Sequence, residues 1–407
     1  MLPLFDHSSL STRETLHRIF RSVDPSGLAA ICLASHRTRA IAEPILYTSP
    51  QADSPARVLL LVRTLSTCSD LAQCVRSLLL GLDGPDAEEG LGTRYLPSLL
   101  RKLKLLFESG KLQKLNELVW CARGETGWAL PDSVNSLPRL TRFSTTASSA
   151  SLVSFLTTHP SISHLTLHSH GLALRLPANA LPRLTHLACA APALSSLPVR
   201  KLKHVILTDA PFIPLLGDKV LSALGGDQSH REFGRGWRDA SPAPDHIESL
   251  RSVTLRLGHV IISPIQAPLI LEPFARHVPA LKKLGIVAGP SFFTTAVLES
   301  LTPVLEGFTE LKTIRMECNA EARGPLLGGS PIGECASLEG GCSFDGTSTP
   351  SEGTISVTDG YNPLGEGTCP PSVEETRVII RAWKDACPGL ENVRLPWWIS
   401  ERARVTR

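Results

Sequence analysis

Apolar residues recur along most of the chain in a six-residue frame, with hydrophobic side chains at its first, fourth and sixth positions. Residues 162–167 read Ile-Ser-His-Leu-Thr-Leu, and residues 250–255 read Leu-Arg-Ser-Val-Thr-Leu. The fourth and sixth positions share one face of a β-strand because successive side chains of a strand alternate between its two faces. Other copies of the frame begin at Val75, Leu115, Leu140 (a partial copy), Leu184, Leu202, Leu281, Leu311 and Leu390. Each copy predicts a short strand with one buried face and one polar face.

The spacing between copies leaves room for a helix or a turn after each strand. Copies that begin at residues 115, 140, 162, 184 and 202 are 25, 22, 22 and 18 residues apart, and later intervals range from 30 to 79. Apolar residues at helical spacing predict helices over residues 95–109, 149–158, 266–278, 292–306 and 373–387. A strand, a crossover connection and a second strand form the unit of a parallel sheet. The pattern therefore predicts an α/β chain of stacked repeats, a parallel β/α solenoid.

The first fifty residues show a helical pattern without the strand frame. Apolar residues between Leu16 and Val23 predict a first helix. The sequence Asp-Pro-Ser-Gly at residues 24–27 ends that helix and supplies an N-cap for the next one. The second predicted helix runs from Leu28 to Pro44. Two or three short helices cannot bury such apolar stripes alone, so this module needs a partner or the rest of the chain.

This N-terminal module resembles an F-box. Residues 14–28 and 39–47 follow that motif without a gap, whereas Ser11, Thr12, Thr15 and Thr38 stand where the family has Leu, Pro and two bulkier hydrophobic residues. The resemblance implies that the module binds the Skp-type adaptor of a cullin-RING ubiquitin ligase, while the rest of the chain binds a protein substrate. The adaptor-binding residues that it implies are Leu16, Ile19, Phe20, Val23, Pro25, Leu28 and Leu33.

The repeated frame resembles that of leucine-rich repeats, whose units are about 20–29 residues long. The family's Asn or Cys, three residues beyond the sixth frame position, is matched by Asn319, whereas other copies carry His170, Pro192, Ala210, Gly258 or Gly289 there. The resemblance therefore implies an irregular solenoid. The F-box-like start and the repeated frame together make the chain similar to the F-box/leucine-rich-repeat-like proteins of mushroom-forming (basidiomycete) fungi. Residues 43–47, 181–187 and 383–390 carry this similarity. The implied division is an F-box-like module at residues 1–50 and a leucine-rich-repeat-like solenoid at residues 51–407.

Two segments interrupt the repeated pattern and are predicted to be insertions. Residues 208–245 contain Gly-Gly, prolines and the basic, aromatic stretch 231–238, which suits either a surface loop or, less well, a nucleic-acid contact. Residues 319–372 are rich in Gly, Ser, Thr and Pro and carry seven acidic residues with one arginine. Such a composition cannot bury enough apolar surface to order itself well, so a flexible acidic loop is expected.

Composition narrows the class of protein. With 42% hydrophobic and 19% charged residues, the 407-residue chain has enough apolar material for a large core, which excludes global disorder. The formal charge of +3 is too small to indicate nucleic-acid binding. No apolar run is long enough to span a bilayer, no secretory signal opens the chain, and its ten cysteines form no C-x-x-C pair. The expectation is a protein of the cytoplasm or nucleus that contacts neither membrane nor nucleic acid.

Motifs for catalysis are missing from the sequence. It contains no G-x-S-x-G elbow, no phosphate-binding G-x-x-x-x-G-K-[ST] loop and no H-E-x-x-H helix. His164, His168 and His170 lie on one predicted strand face and could be imagined around a metal, but a solvated histidine cluster without further ligands is the preferred interpretation. We therefore expect no enzyme, cofactor or metal. The favoured hypothesis is a substrate-recognition adaptor of an SCF-type ubiquitin ligase, and the alternative is a repeat scaffold whose N-terminal helices merely cap the array.

Overall fold

The computed structural model describes most of the helical module and the repeats. The described residues are 8–82, 91–122, 126–133, 135–147, 150–168, 174–177, 179–194, 202–208, 250–258, 261–319 and 371–396. Both predicted insertions, including the basic stretch 231–238, fall outside these ranges apart from their outermost residues. His170 lies outside them as well.

The described part of the chain forms one sheet of eleven parallel strands whose spatial order is the chain order. The strands are β1 (Gln51–Ala52), β2 (Ser77–Gly81), β3 (Glu117–Cys121), β4 (Arg142–Thr145), β5 (His164–Leu167), β6 (His186–Ala190), β7 (His204–Thr208), β8 (Ser252–Gly258), β9 (Lys283–Ala288), β10 (Thr313–Cys318) and β11 (Asn392–Arg394). Strands β2 to β11 each begin at the third position of one of the ten sequence frames. The predicted mixed α/β class with one parallel strand per repeat is therefore confirmed.

Helices fill most of the described connections between strands. They are α1 (Ser8–Arg21), α2 (Pro25–Ala34), α3 (His36–Leu46), α4 (Pro55–Thr67), α5 (Ser69–Cys74), α6 (Leu91–Glu108), α7 (Ala150–Thr158), α8 (Ala191–Leu194), α9 (Gln266–His277), α10 (Thr295–Ser300), α11 (Thr302–Leu305) and α12 (Val373–Ala386). Short 3₁₀ turns occur at Gly127–Ala129 and Pro290–Phe293. No helix in these ranges is both long and apolar enough to cross a bilayer.

Four of the five helices predicted in the repeats are present as continuous helices, and the fifth is broken. The stretch predicted as one helix over residues 292–306 contains the end of a 3₁₀ turn followed by α10 and α11. Thr294 starts α10 because its side chain accepts a hydrogen bond from the backbone N–H of Val297. Pro303 lies in the first turn of α11, where a proline needs no N–H partner. The prediction of a single helix was wrong because these two local start signals override the apolar spacing.

The core lies between the helices and one face of the sheet. The first, fourth and sixth frame positions are nearly all buried, as the alternation of strand side chains predicts. Aromatic residues extend this core from strand to helix: Trp120 of β3 lies 6.2 Å from Phe107 of α6, and Phe143 of β4 lies 4.8 Å from Phe155 of α7, between ring centroids. Each repeat is thus joined to the next by hydrogen bonds within the sheet and by apolar packing behind it.

The last described repeat is fastened by a tryptophan. Trp383 of α12 is fully buried, and its indole N–H donates a hydrogen bond to the backbone carbonyl of Leu298 in α10, 3.2 Å away. The capping box at the start of α12, in which the Ser372 hydroxyl and the Glu375 carboxylate each bond the other's backbone N–H, fixes where the helix begins. These contacts place α12 beside α10 and α11, and so position the strand β11 that follows it.

The N-terminal module has its own small core. Phe20 of α1, Leu28 of α2, and Ile41 and Ala42 of α3 form a buried cluster separate from the core of the repeats. The second helix was predicted to continue to residue 44, and this was wrong: the Ser35 side chain accepts from the backbone N–H of Thr38 and starts a new helix, α3. Proline 44 lies inside that helix instead of ending it.

A short region between the module and the repeats carried no predicted structure. Gln51 and Ala52 form β1, which pairs with Leu79 and Leu80 of β2, and α4 and α5 follow. Ser54 caps α4, whose buried face contacts the core through residues such as Val62. The repeats are therefore one strand longer at this end than the frame indicates.

Candidate functional site

The polar face of the sheet presents two straight rows of side chains. Strand register places the third frame positions side by side, and it does the same for the fifth positions. The third-position row is Ser77, Glu117, Arg142, His164, His186, His204, Ser252, Lys283, Thr313 and Asn392. The fifth-position row is Leu79, Val119, Ser144, Thr166, Ala188, Ile206, Thr254, Gly285, Arg315 and Arg394. With strands spaced about 4.8 Å apart, each row extends roughly 43 Å.

Three histidines in the middle of the third-position row form a histidine stack, consisting of His164, His186 and His204. The ring centroids of His164 and His186 are 3.9 Å apart with planes inclined by 13°, and those of His186 and His204 are 4.4 Å apart with planes inclined by 18°. Nδ1 of His186 is hydrogen-bonded to Oγ1 of Thr185 at 2.9 Å, and Nδ1 of His164 to Oγ of Ser163 at the same distance. The preceding hydroxyl therefore helps to set the orientation of the His164 and His186 rings.

Burial and neighbouring cations keep the stack uncharged at neutral pH. The pKa of His186 is lowered to about 4, first by burial and then by the positive charges that His164, His204, Arg142 and Lys203 carry or can acquire. The pKa values of His164 and His204 are also lowered, mainly by burial. Neutral imidazoles can lie face to face at these distances, whereas three imidazolium ions would repel one another.

A fourth histidine on this face is held separately. Nε2 of His168 is hydrogen-bonded to Oγ of Ser144 at 3.0 Å, and burial lowers its pKa, with a smaller contribution from the charge of Arg256. The metal arrangement considered for residues 164, 168 and 170 does not form from the described members, because His164 and His168 have different partners. Within the described ranges no three His, Cys, Asp or Glu side chains are grouped as metal ligands would be.

The stack was missed from the sequence although its signal was present. Histidine occupies the third position in three successive frames, those that begin at residues 162, 184 and 202. Consideration of the strands one by one hides the pattern, because only the register between strands makes residues 18 or more positions apart direct neighbours.

The last four strands form a basic groove on the same face, about 400 Å³ in volume. Its lining residues are Ser252, Thr254, Lys283, Leu284, Gly285, Thr313, Arg315, Asn392 and Arg394. Arg315 and Arg394 are register partners on neighbouring strands, and Arg315 is paired with Glu317 of its own strand. At Gly285 a Cβ atom would lie only 2.7 Å from Oγ1 of Thr254, so the close packing of β8 and β9 requires glycine in the floor of the groove.

The residues of the F-box-like module divide between its core and its surface. Phe20 and Leu28 are buried in the small core, and Leu16 and Val23 pack against it. Ile19, Pro25 and Leu33 are exposed, with Ile19 at 52% and Leu33 at 88% of full exposure. The seven residues implied by the resemblance are therefore not one surface: two hold the three helices together, and three face solvent.

Thr38, which departs from the F-box pattern, has a polar role in this module. Its hydroxyl lies 3.0 Å from the backbone carbonyl of Ile31 in α2 and 2.8 Å from the hydroxyl of Ser35, at the junction of α2 and α3. A bulky apolar residue could not form these bonds. Hydrogen bonding through Thr38 therefore joins α2 and α3 in this module.

A second, apolar groove of about 620 Å³ lies on the helical side, between α4 and α6. Leu60 and Leu105 line it and are each about two-thirds exposed, and Arg63 and Lys102 border them. No periodic pattern marks this groove in the sequence, since residues 59–61 are three consecutive leucines.

Neither a protein-family model nor a curated protein sequence matches this chain.

Proposed function

We propose that the protein is a non-enzymatic adaptor of an SCF-type ubiquitin ligase, in which the N-terminal module binds a Skp-type adaptor and the polar face of the sheet binds a protein substrate. The observation that carries the proposal is the module's construction. Three short helices close around Phe20, Leu28 and Ile41, yet Ile19 and Leu33 stay exposed beside them. Exposed apolar side chains on a small, separately packed module are suited to a protein interface.

The repeat architecture supports the second half of the proposal. Two rows of side chains about 43 Å long offer many independent contacts to a macromolecule rather than one enclosed cavity. Stacked strand–helix repeats, with the register seen here, are the arrangement of a solenoid, and solenoids bind partners along such faces. The resemblance to F-box/leucine-rich-repeat-like proteins joins the two halves into a single function.

One observation favours the alternative, a repeat scaffold without ligase coupling. Helix α3 contacts α5, and Tyr47, directly after α3, packs against the core of the repeats. A module that only caps the array would use these contacts to shield the apolar end of the sheet. The two hypotheses differ in what they require of Ile19 and Leu33: a cap has no use for exposed apolar side chains.

Co-purification of the full chain with a Skp-type adaptor distinguishes them. We expect the double variant Ile19→Asp with Leu33→Asp to lose at least tenfold in adaptor binding and to keep its thermal midpoint, because both side chains are exposed. The matched control is Ile261→Asp with Ile265→Asp, two comparably exposed apolar residues before α9, which should bind as the unaltered protein does. Failure of the unaltered chain to bind, or equal binding by the two double variants, would reject the ligase proposal in favour of the scaffold.

A further inference from the structure

We propose that the basic groove binds two carboxylate side chains of an extended acidic segment in a protein partner. This inference rests on the proposed function only in that the polar face of the sheet is the partner-binding face. The groove supplies three cations from three consecutive strands: Lys283 from β9, Arg315 from β10 and Arg394 from β11. All three side chains are exposed to solvent.

The arrangement of these charges is unfavourable without an anion. Arg315 and Arg394 lie directly opposite each other in register, and like charges in that position destabilise a sheet. Glu317 neutralises Arg315 from the same strand. Among the described residues, no carboxylate lies within ion-pair distance of Lys283 or Arg394. The groove therefore presents two cations that no described carboxylate neutralises.

The remaining lining residues suit a polar chain rather than an apolar one. Three hydroxyls, on Ser252, Thr254 and Thr313, and the side-chain amide of Asn392 line the groove together with the cations. They can donate to backbone carbonyls or carboxylates of a bound segment. Gly285 leaves the floor open at the centre of the groove.

The distance between Lys283 and Arg394 limits how far apart the two carboxylates of the ligand can be. Lys283 and Arg394 lie on strands separated by one strand, and Arg394 lies two positions beyond Asn392, with which Lys283 is aligned, so their backbones are about 12 Å apart. In an extended polyproline II segment, which has three residues per turn and advances about 3.1 Å per residue, side chains three positions apart lie on one face about 9 Å apart, a distance that the long lysine and arginine side chains can match. A segment of the form Glu-x-x-Glu, crossing the strands, would bring one carboxylate to each cation, with the arginine accommodating a bidentate contact.

The test uses the full chain and a fluorescein-labelled peptide, Gly-Ser-Glu-Gly-Ser-Glu-Ser-Gly, with fluorescence polarisation at low ionic strength. We expect Lys283→Gln with Arg394→Gln to lower the affinity at least tenfold. The matched control, Arg63→Gln with Lys102→Gln, removes the same charge from the helical side and should change the affinity less than twofold. A peptide with both glutamates replaced by glutamine should not bind measurably.

Three results would overturn the proposal. They are equal binding of the neutral peptide, equal loss of affinity in the control variant, and binding of a peptide with one phosphoserine in place of the two glutamates when the glutamate peptide does not bind, which would assign the groove to phosphate. The groove variants should leave co-purification with the Skp-type adaptor unchanged. The outcome at the groove can therefore be separated from the outcome for the ligase: either can fail while the other stands.

Discussion

The histidine stack and the basic groove lie on the same face of one sheet and are built from the same frame, but the stack is neutral whereas the groove is positively charged. In the stack, three rings pack on each other, lose water and become neutral, and the ring nitrogens of His164 and His186 bond to hydroxyls of the preceding residues. In the groove, Lys283 and Arg394 stay exposed and have no carboxylate beside them among the described residues. The backbone does not explain the difference, since both regions share the same register.

The contrast distinguishes a region that stabilises the repeat array through internal contacts, the histidine stack, from a region that is available for binding, the basic groove. The histidine stack, whose rings pack on one another, holds neighbouring strands together and needs no ligand. In the basic groove, unneutralised like charges lower the stability of the folded state, and binding of an anion restores it. Variants that convert one kind of region into the other, or that remove one while sparing the other, test this interpretation.

The largest effect on stability is expected from replacement of Trp383, which anchors the last described repeat. Trp383→Ala should lower the free energy of unfolding by about 3–5 kcal/mol, because it leaves a cavity in the core and removes the indole hydrogen bond to the Leu298 carbonyl. Loss of α12 and β11 should abolish peptide binding in the groove, while hydrogen exchange of β5 to β7 stays slow. Denaturant titration and hydrogen exchange measure the two effects. Trp383→Phe, which retains most of the volume, is the control and should cost about 1–2 kcal/mol. Equal exchange rates in β5 to β7 and in β10 to β11 would contradict the separation of the regions.

Acid should weaken the stack. The folded-state pKa values of its histidines lie below the unfolded value, to about 4 for His186, so the unfolded chain binds protons first as the pH falls. The stabilisation is therefore complete above about pH 6.5 and is lost progressively toward pH 4. Arg142, Lys203, Arg251 and Lys283 oppose protonation of the stack, while Glu117 favours it at His164.

Because these rings are partly exposed, solvent screening limits the loss between pH 7 and pH 5 to on the order of 1 kcal/mol, about 2 °C in the thermal midpoint. Thermal unfolding should show this loss in the unaltered chain and not in a variant with His164→Gln, His186→Gln and His204→Gln. His36→Asn, in the N-terminal module, is the control and should follow the unaltered chain. An identical pH dependence of the triple variant and the unaltered chain would rule out a role for the stack.

The smallest effect should come from an internal counter-ion in the groove. Thr313 lies between Lys283 and Asn392 in the third-position row. Thr313→Glu should stabilise the protein by about 0.3–1 kcal/mol and lower the affinity for the Glu-x-x-Glu peptide about fivefold, because its carboxylate competes for the same cations. Thermal unfolding and polarisation measure the two changes together. Thr313→Gln, which has the same shape without the charge, should do neither; similar behaviour of the two variants would show that shape, not charge, is responsible.

Much of the fold could be predicted because the frame is a local signal. All ten frame copies became strands, since an apolar residue at the first position and alternating apolar residues after it suffice to define a buried strand face. The unpredicted elements lack such a signal. β1 is two residues long, too short for any period, and α4 contains three consecutive leucines, of which Leu61 packs against the core while Leu60 is exposed.

The candidate sites were less predictable because they depend on contacts between repeats. Histidines at 164, 186 and 204 are separated by at least 18 residues, and only the parallel register brings them within 4.4 Å. The groove likewise combines residues from 252 to 394. In the N-terminal module the helical pattern identified apolar positions but could not separate Phe20, which faces the core, from Ile19, which faces solvent.

The agreement between strand order and chain order also has a consequence for synthesis on the ribosome. Each strand can pair as soon as it emerges, because its neighbour has already been made, so the sheet can grow from β1 onward without waiting for distant sequence. The exception is the interval of about 70 residues between β10 and β11, which takes roughly 4–14 s to translate. During those seconds β10 is an unpaired edge strand of the growing sheet. Charged side chains on an edge strand oppose pairing with another chain, and β10 carries two of them, Arg315 and Glu317.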